Sequence, residues 1–186
     1  MRIISGKFKS KKIIQPLDKH TRPLKDITKE SIFNILLHSK FIKVKIENSK
    51  ILDLFSGSGS FGLECLSRGA KKVTFCENYY SALKILEKNI NNIGCLNKTE
   101  IIKEDIFNMF KKKYFNEKFN LIFLDPPFRE EKVSELLTNL RKSKILERNG
   151  IIILHRNKKS KDNFSQDYNI LKEKIYGLSK IYFIDF

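Results

Sequence analysis

From Lys50 onward, short apolar runs alternate with amphipathic stretches, the pattern of a mostly parallel sheet covered by helices on both faces. The runs predict strands at about Ile51 to Leu54, Val73 to Cys76, Glu100 to Ile102, Leu121 to Leu124 and Ile151 to Leu154. Between them, Leu83, Leu86, Ile90 and Ile93 make one helical stripe, and Val133, Leu136, Leu137 and Leu140 make another. Gly94 and Gly150 read as stops after helices. Ile170 to Phe186, with Tyr176-Gly177 between two apolar segments, predicts a closing antiparallel hairpin, and Asn157 to Asp162 a polar loop. The fold class expected is therefore α/β.

Ahead of this body, the pairs Ile3-Ile4 and Ile13-Ile14 alternate with Lys7, Lys9, Lys11 and Lys12 around Gly6, which reads as a basic hairpin or arm. Arg22-Pro23 marks a break, and Ile27, Ile32, Ile35 and Leu36 predict a helix over Asp26 to Leu37. Residues 1–40 are thus expected to form an arm and helix packed on a main domain of residues 41–186.

Composition narrows the classes. A length of 186 residues suits one domain, and 41% hydrophobic residues with 15 Phe supply a core. No apolar run approaches the ~20 residues of a membrane helix, and Met1 to Lys7 lacks the apolar stretch of a signal peptide, so a cytoplasmic protein without a membrane partner is expected. Cys65, Cys76 and Cys95 share no Cys-x-x-Cys spacing and read as buried thiols. His20, His38 and His155 have no metal-like spacing and read as surface or supporting residues, so no metal is expected. A monomer is the simplest assembly. Lys and Arg number 37 against 21 Asp and Glu, a net charge of +16 that favours a polyanionic partner, nucleic acid before a membrane surface. Charge alone could equally reflect a Lys-rich composition.

The run Asp53-Leu54-Phe55-Ser56-Gly57-Ser58-Gly59-Ser60-Phe61-Gly62 places a Gly-x-Gly-x-x-Gly turn between the first strand and a helix, where glycines admit a nucleotide-like ligand close to the backbone. Glu77, ending the second strand, suits ribose hydroxyls, and Asp105, after the third, an adenine amine. A dinucleotide and S-adenosylmethionine both fit such a pocket. Asp53, just ahead of the glycines, opposes a pyrophosphate and suits the amino-acid end of S-adenosylmethionine.

The fourth strand runs into Asp125-Pro126-Pro127-Phe128. Two prolines stiffen the turn and remove their own donors, leaving the Asp125 carboxylate and the Pro126 carbonyl as acceptors for an exocyclic base amine, with Phe128 able to stack on the base. A proline-stiffened structural turn is the plain alternative. Arg129 reads as a phosphate contact or a helix cap, and Lys111 to Lys113 as a solvated helix end.

Asp53 to Gly59 continuing to Glu64-Cys65-Leu66-Ser67-Arg68-Gly69-Ala70, with Arg2-Ile3-Ile4-Ser5-Gly6-Lys7, Arg22-Pro23, Glu30 to Leu36 and Asp125 to Phe128 in the same order, resembles the RsmD-type bacterial 16S ribosomal RNA guanine-N2 methyltransferases over nearly the whole chain. The resemblance implies a Rossmann-like S-adenosylmethionine-dependent methyltransferase fold and methylation of N2 of the guanine conventionally numbered 966 in 16S rRNA of the small ribosomal subunit. It places Asp53, Phe55, Gly57, Gly59, Glu77, Asp105 and Ile106 at the cofactor, and Asp125, Pro126, Pro127 and Phe128 at the target base. Lys7, Lys9, Lys11, Lys12, Arg22 and Arg129 are the expected RNA contacts. Departures are Ser10 where glycine is usual, Leu24 for a threonine, and Ser60-Phe61 for smaller residues. Two other functions fit the residues: adenine-N6 methylation of DNA or RNA, and a non-catalytic RNA-binding assembly factor.

Overall fold

A computed structural model of the chain describes residues 1–16, 23–112, 114–162, 164 and 166–186. All five expected strands are present: β1 (Lys50–Leu54), β2 (Lys72–Cys76), β3 (Thr99–Ile102), β4 (Phe119–Leu124) and β5 (Leu146–Asn157), paired in parallel. The closing hairpin is β6 (Asn169–Tyr176) and β7 (Ser179–Asp185), and β7 adds antiparallel to β5. The sheet order is β3-β2-β1-β4-β5-β7-β6. The helices are α1 (Asp26–His38), α2 (Ser60–Ser67), α3 (Tyr80–Ile93), α4 (Ile106–Lys111) and α5 (Val133–Ser143).

Side chains alternate across a strand, so a sheet covered on both faces must be apolar at successive positions. Ile51, Val73, Leu121, Phe123, Ile151 and Ile153 pack on one face with residues of the arm, α1, α2 and α3. Leu52, Leu54, Ile122, Leu124, Ile152 and Leu154 pack on the other with residues of α4 and α5. Cys65, Cys76 and Cys95 are buried free thiols, and burial pushes that of Cys95 up to about 11.

One glycine differs from expectation. Gly94 does stop α3, at φ 78°. Gly150 does not stop α5, because Lys144, at φ 53°, already takes the left-handed position after Ser143. Gly150 lies inside β5, where a Cβ would come within 2.8 Å of the Leu146 side chain, beside a register shift between Phe119 and Leu121.

The arm is stitched to the sheet domain. It folds back on itself through Ile3 N to Lys11 O and Ile13 N to Met1 O, both 3.0 Å, with Arg2 and Lys12 bridging antiparallel. The buried Glu64 carboxylate of α2 accepts from Ile4 N (2.7 Å) and Ser5 N (3.0 Å). Gly6 passes so near that a Cβ would lie 1.9 Å from the Ser67 carbonyl oxygen. Lys29 of α1 is fully buried and donates to Arg2 O (2.9 Å) and Ser60 Oγ (3.2 Å), and burial lowers its pKa.

Candidate active site

The strand order reverses between β1 and β4, where an open α/β sheet forms its ligand crevice beyond the carboxyl ends. A cleft of about 640 Å³ opens there, walled by the glycine turn, the end of β2 and the turn after β4. A smaller depression of about 260 Å³, beside Lys72, Glu100 and Glu117, holds ion-paired side chains and none of the expected site residues.

Asp53, Phe55, Gly57 and Glu77 all line the cleft. Asp53 is 1% exposed and accepts from Gly62 N at 2.9 Å. Burial pushes its carboxyl well above the usual range, and the charges of Asp125 and Glu77 push the same way. Glu77 accepts from Gly57 N (2.8 Å) through one oxygen and from Asn78 N and Tyr79 N (2.9 Å each) through the other. Gly57 has φ 55° and open space where a Cβ would stand, so a ligand can reach its backbone. Phe55 also takes a positive φ, 60°, at the exit of β1.

These contacts discriminate between cofactors. A pyrophosphate needs the amides of the glycine turn and helix start, and two of them already serve carboxylates, those of Asp53 and Glu77. An anionic ligand would meet the carboxylates of Glu77 and Asp125 in one cleft, with the buried carboxyl of Asp53 beside them. A cationic sulfonium with a ribose fits this set of acceptors.

Other expected site residues stand elsewhere. Gly59 begins α2 at φ 79° and makes room for Leu86, whose Cδ1 would be 2.4 Å from a Cβ. Asp105 caps α4, accepting from Asn108 N at 3.1 Å, and Ile106 is buried in the core; neither lines the cleft.

Asp125, Pro126, Pro127 and Phe128 form the opposite wall, with Arg129 exposed beside them. Arg129 does not cap α5, whose N-cap is Lys132. The Asp125 carboxylate is hydrogen-bonded through Oδ1 to His155 Nδ1 at 2.8 Å. Arg156 Nη1 donates to the Pro127 carbonyl (3.3 Å) and Nη2 to that of Glu130 (2.8 Å), while Nε is held by Asp162 (2.9 Å).

The family described as conserved hypothetical protein 95 matches residues 1–185. "Ribosomal RNA small subunit methyltransferase D" of Haemophilus influenzae is 32% identical over 179 residues, 96% of this chain and 90% of that protein. Its namesake in Buchnera aphidicola subsp. Acyrthosiphon pisum is 32% identical over 97% of this chain and 90% of its own. The solved yhhF structure of Escherichia coli superposes with a TM-score of 0.80 at 25% identity, covering 99% of this chain and 96% of that one. The chain belongs to the RsmD family. Its fold is the Rossmann-like fold of S-adenosylmethionine-dependent methyltransferases, as the resemblance implied.

Two of the positions where this RsmD-family member departs from the usual pattern are packing positions. Phe61 stacks between Phe33 (5.1 Å) and Phe123 (3.9 Å), joining α1 and α2 to β4. Leu24 is buried and borders the cleft. Ser10 holds φ at 70°, the conformation for which a glycine is the usual choice.

Several site residues escaped sequence reasoning. Gln15, Pro16, Pro23 and Leu24 add a wall to the cleft, so the arm's end belongs to the site. Gln15 Nε2 donates to Ser58 Oγ (3.0 Å), and Asn89 of α3 joins Ile14 to the Ser58 carbonyl through three bonds of 2.9 Å. A polar Asn89 within the Leu86, Ile90, Ile93 stripe was the signal for it. Of the two readings for His155 the supporting one holds: it is 2% exposed, and it follows directly on the apolar run Ile151 to Leu154 within β5. His38 is exposed, as expected. His20 and Arg22 lie outside the described residues, as does Lys113 of the lysine run. Lys7, Lys9, Lys11 and Lys12 are exposed along the arm. No helix among the described residues is long and apolar enough to cross a membrane.

Proposed function

We propose that the protein transfers a methyl group from S-adenosylmethionine to the exocyclic N2 of a guanine, the one conventionally numbered 966, in 16S rRNA of the small ribosomal subunit. The observation that carries this reading is one cleft lined on one side by Glu77 and the Gly57 turn and on the other by Asp125 to Phe128. Names of relatives that cover nine-tenths of their own length support the RNA substrate. S-adenosylmethionine, when bound, supplies a methyl group activated on a sulfonium. Glu77 would accept from the ribose and Asp53 would face the amino-acid end; Asp105 and Ile106, which stand outside the cleft, would have to shift to meet the adenine. Asp125 and the Pro126 carbonyl hold the N–H donors of the guanine amine, and Phe128 stacks on the extruded base. With the cofactor bound, the amine nitrogen would take the methyl as the sulfur–carbon bond breaks and S-adenosylhomocysteine leaves, and the methylated nitrogen would then release one proton to water. Catalysis is by positioning and electrostatics, with no covalent enzyme intermediate. Residues 1–40 serve as the RNA-facing appendage of the methyltransferase domain, with Lys7, Lys9, Lys11 and Lys12 of the arm, and Arg129 beside the cleft, as phosphate contacts.

Labelled methyl transfer to undermodified small subunits, naked rRNA and DNA, followed by nucleoside analysis, tests this. N2-methylguanosine on subunits is the expected product; N6-methyladenine, or cofactor binding without transfer, overturns the reading. Asp125→Ala is expected to lower kcat about 100-fold or more with cofactor affinity retained. Glu77→Ala is expected to weaken cofactor binding by roughly 1.5 to 3 kcal/mol, with the rate largely recovered at saturation.

A further inference from the structure

An aspartate that opens a turn ordinarily steadies its carboxylate on the backbone N–H two residues on. Asp125 has no such option, because residues 126 and 127 are both proline and carry no N–H. Its own backbone N–H is spent on the Leu54 carbonyl across the strand order reversal, at 3.3 Å. The hydrogen-bond partner that the structure gives the carboxylate comes from another element.

That partner is built into the sheet register. β4 and β5 run parallel with Leu124 opposite Leu154, so the next residues, Asp125 and His155, emerge side by side at the carboxyl edge. His155 Nδ1 meets Asp125 Oδ1 at 2.8 Å, and Nε2 meets Ser179 Oγ of β7 at 2.8 Å. An ionised carboxylate only accepts, which places a proton on Nδ1 and leaves Nε2 to accept from the Ser179 hydroxyl in the neutral imidazole. The same ring meets Phe128 edge-on, with centroids 5.6 Å apart. One buried imidazole thus touches both the acceptor and the aromatic group of the Asp-Pro-Pro-Phe turn.

We infer that His155, held by Ser179, is the positioning residue of the active site: it fixes the rotamer of Asp125 and the edge of Phe128 so that the turn meets the base amine in one geometry. This rests on the methyltransferase reading above. Fixing one carboxylate oxygen sets the direction of the other, and a misplacement near 1 Å is enough to cost about 100-fold in rate. The imidazole acts through Asp125 and Phe128 and touches neither cofactor nor substrate in this assignment.

The test is a set of variants assayed for methyl transfer and for S-adenosylmethionine binding by calorimetry. His155→Phe keeps a buried ring and loses both hydrogen bonds. Its kcat is expected to fall about 10- to 100-fold, with cofactor Kd within about twofold of wild type. His155→Asn, whose amide can replace the Nδ1–H donor, is expected to recover most of that loss, which a volume-filling role would not predict. Ser179→Ala, which leaves the Asp125 contact in place, is expected to lose only a few-fold and keeps the inference testable should His155→Phe fail to fold. In a double-mutant cycle, adding His155→Phe to Asp125→Ala is expected to cost less than the same change in wild type. Additive losses, or a His155→Phe enzyme with the kcat of an active wild type, overturn the inference alone. A wild-type protein that methylates none of the substrates overturns the proposed function and this inference with it.

Discussion

Ser10 stands in the left-handed region at φ 70°, donating its N–H to the Ile3 carbonyl at 2.9 Å to close the arm on itself. A side chain there is strained and a glycine is not. Ser10→Gly is therefore expected to raise stability by about 0.5 to 1 kcal/mol in urea titration, against the usual cost of glycine in a folded chain. Asp53 sets a different balance, because its carboxylate is buried and its pKa raised chiefly by desolvation. The folded chain holds that proton more tightly than the unfolded one, so the group's contribution is full below the ordinary carboxylate pKa and is lost as pH rises through the raised folded value. Asp53→Asn retains an oxygen for the Gly62 amide but does not titrate. Its unfolding free energy relative to wild type should improve steadily from about pH 4 upward. A difference that is constant with pH would contradict a desolvated carboxyl at this site.

At the scale of elements, α3 holds the arm against the glycine turn. Asn89 makes three hydrogen bonds with Ile14 and Ser58, and Gln15 adds another to Ser58. The arm residues beyond this latch, Gln15 and Pro16, line the cleft. Asn89→Leu removes all three bonds while keeping an apolar volume on α3. A loss of roughly 2 to 3 kcal/mol in stability is expected, with faster amide exchange at Ile13 and Ile14 and weaker cofactor binding. If exchange quickens while cofactor affinity stays put, the arm is a structural clasp and contributes nothing to the pocket. The buried Glu64 and Ser67 of α2 anchor the other end of the arm through Ile4, Ser5, Lys7 and Phe8, so the latch and the anchor can be separated by mutation.

For the whole molecule, the net charge of +16 meets a fold whose cleft is acidic, with Asp53, Glu77 and Asp125 in its walls. Attraction for a polyanion must then come from outside the cleft, and the exposed Lys7, Lys9, Lys11 and Lys12 of the arm are one such surface. Phosphate contacts set affinity and register without reading sequence. Changing all four to Gln is expected to weaken subunit binding most at low salt. Each lost contact should reduce the salt slope of log affinity by about 0.7 to 0.9. Affinity for free S-adenosylmethionine should hardly change. An unchanged slope with unchanged subunit affinity would move the RNA-facing charge to Arg129 and to other basic surfaces.

The strands, the two helical stripes, the closing hairpin and the glycine turn were all legible in the sequence, because a sheet buried on both faces leaves continuous apolar runs and left-handed turns favour glycine. The Asp-Pro-Pro-Phe turn was legible for the same local reason, two consecutive prolines. What lay beyond local pattern was contact across the fold. Gln15 reaches Ser58 over 43 positions, and Asn89 reaches Ile14 over 75. Gly150 was misread as a helix stop because Lys144 takes the left-handed position ahead of it. His155 looked unremarkable in sequence because its partner, Asp125, is 30 residues away. The chain by itself determined which segments become strands and which carry turn chemistry. Only the tertiary structure, through the parallel register of β4 and β5 and the path of the arm, decided which of those side chains share the cleft.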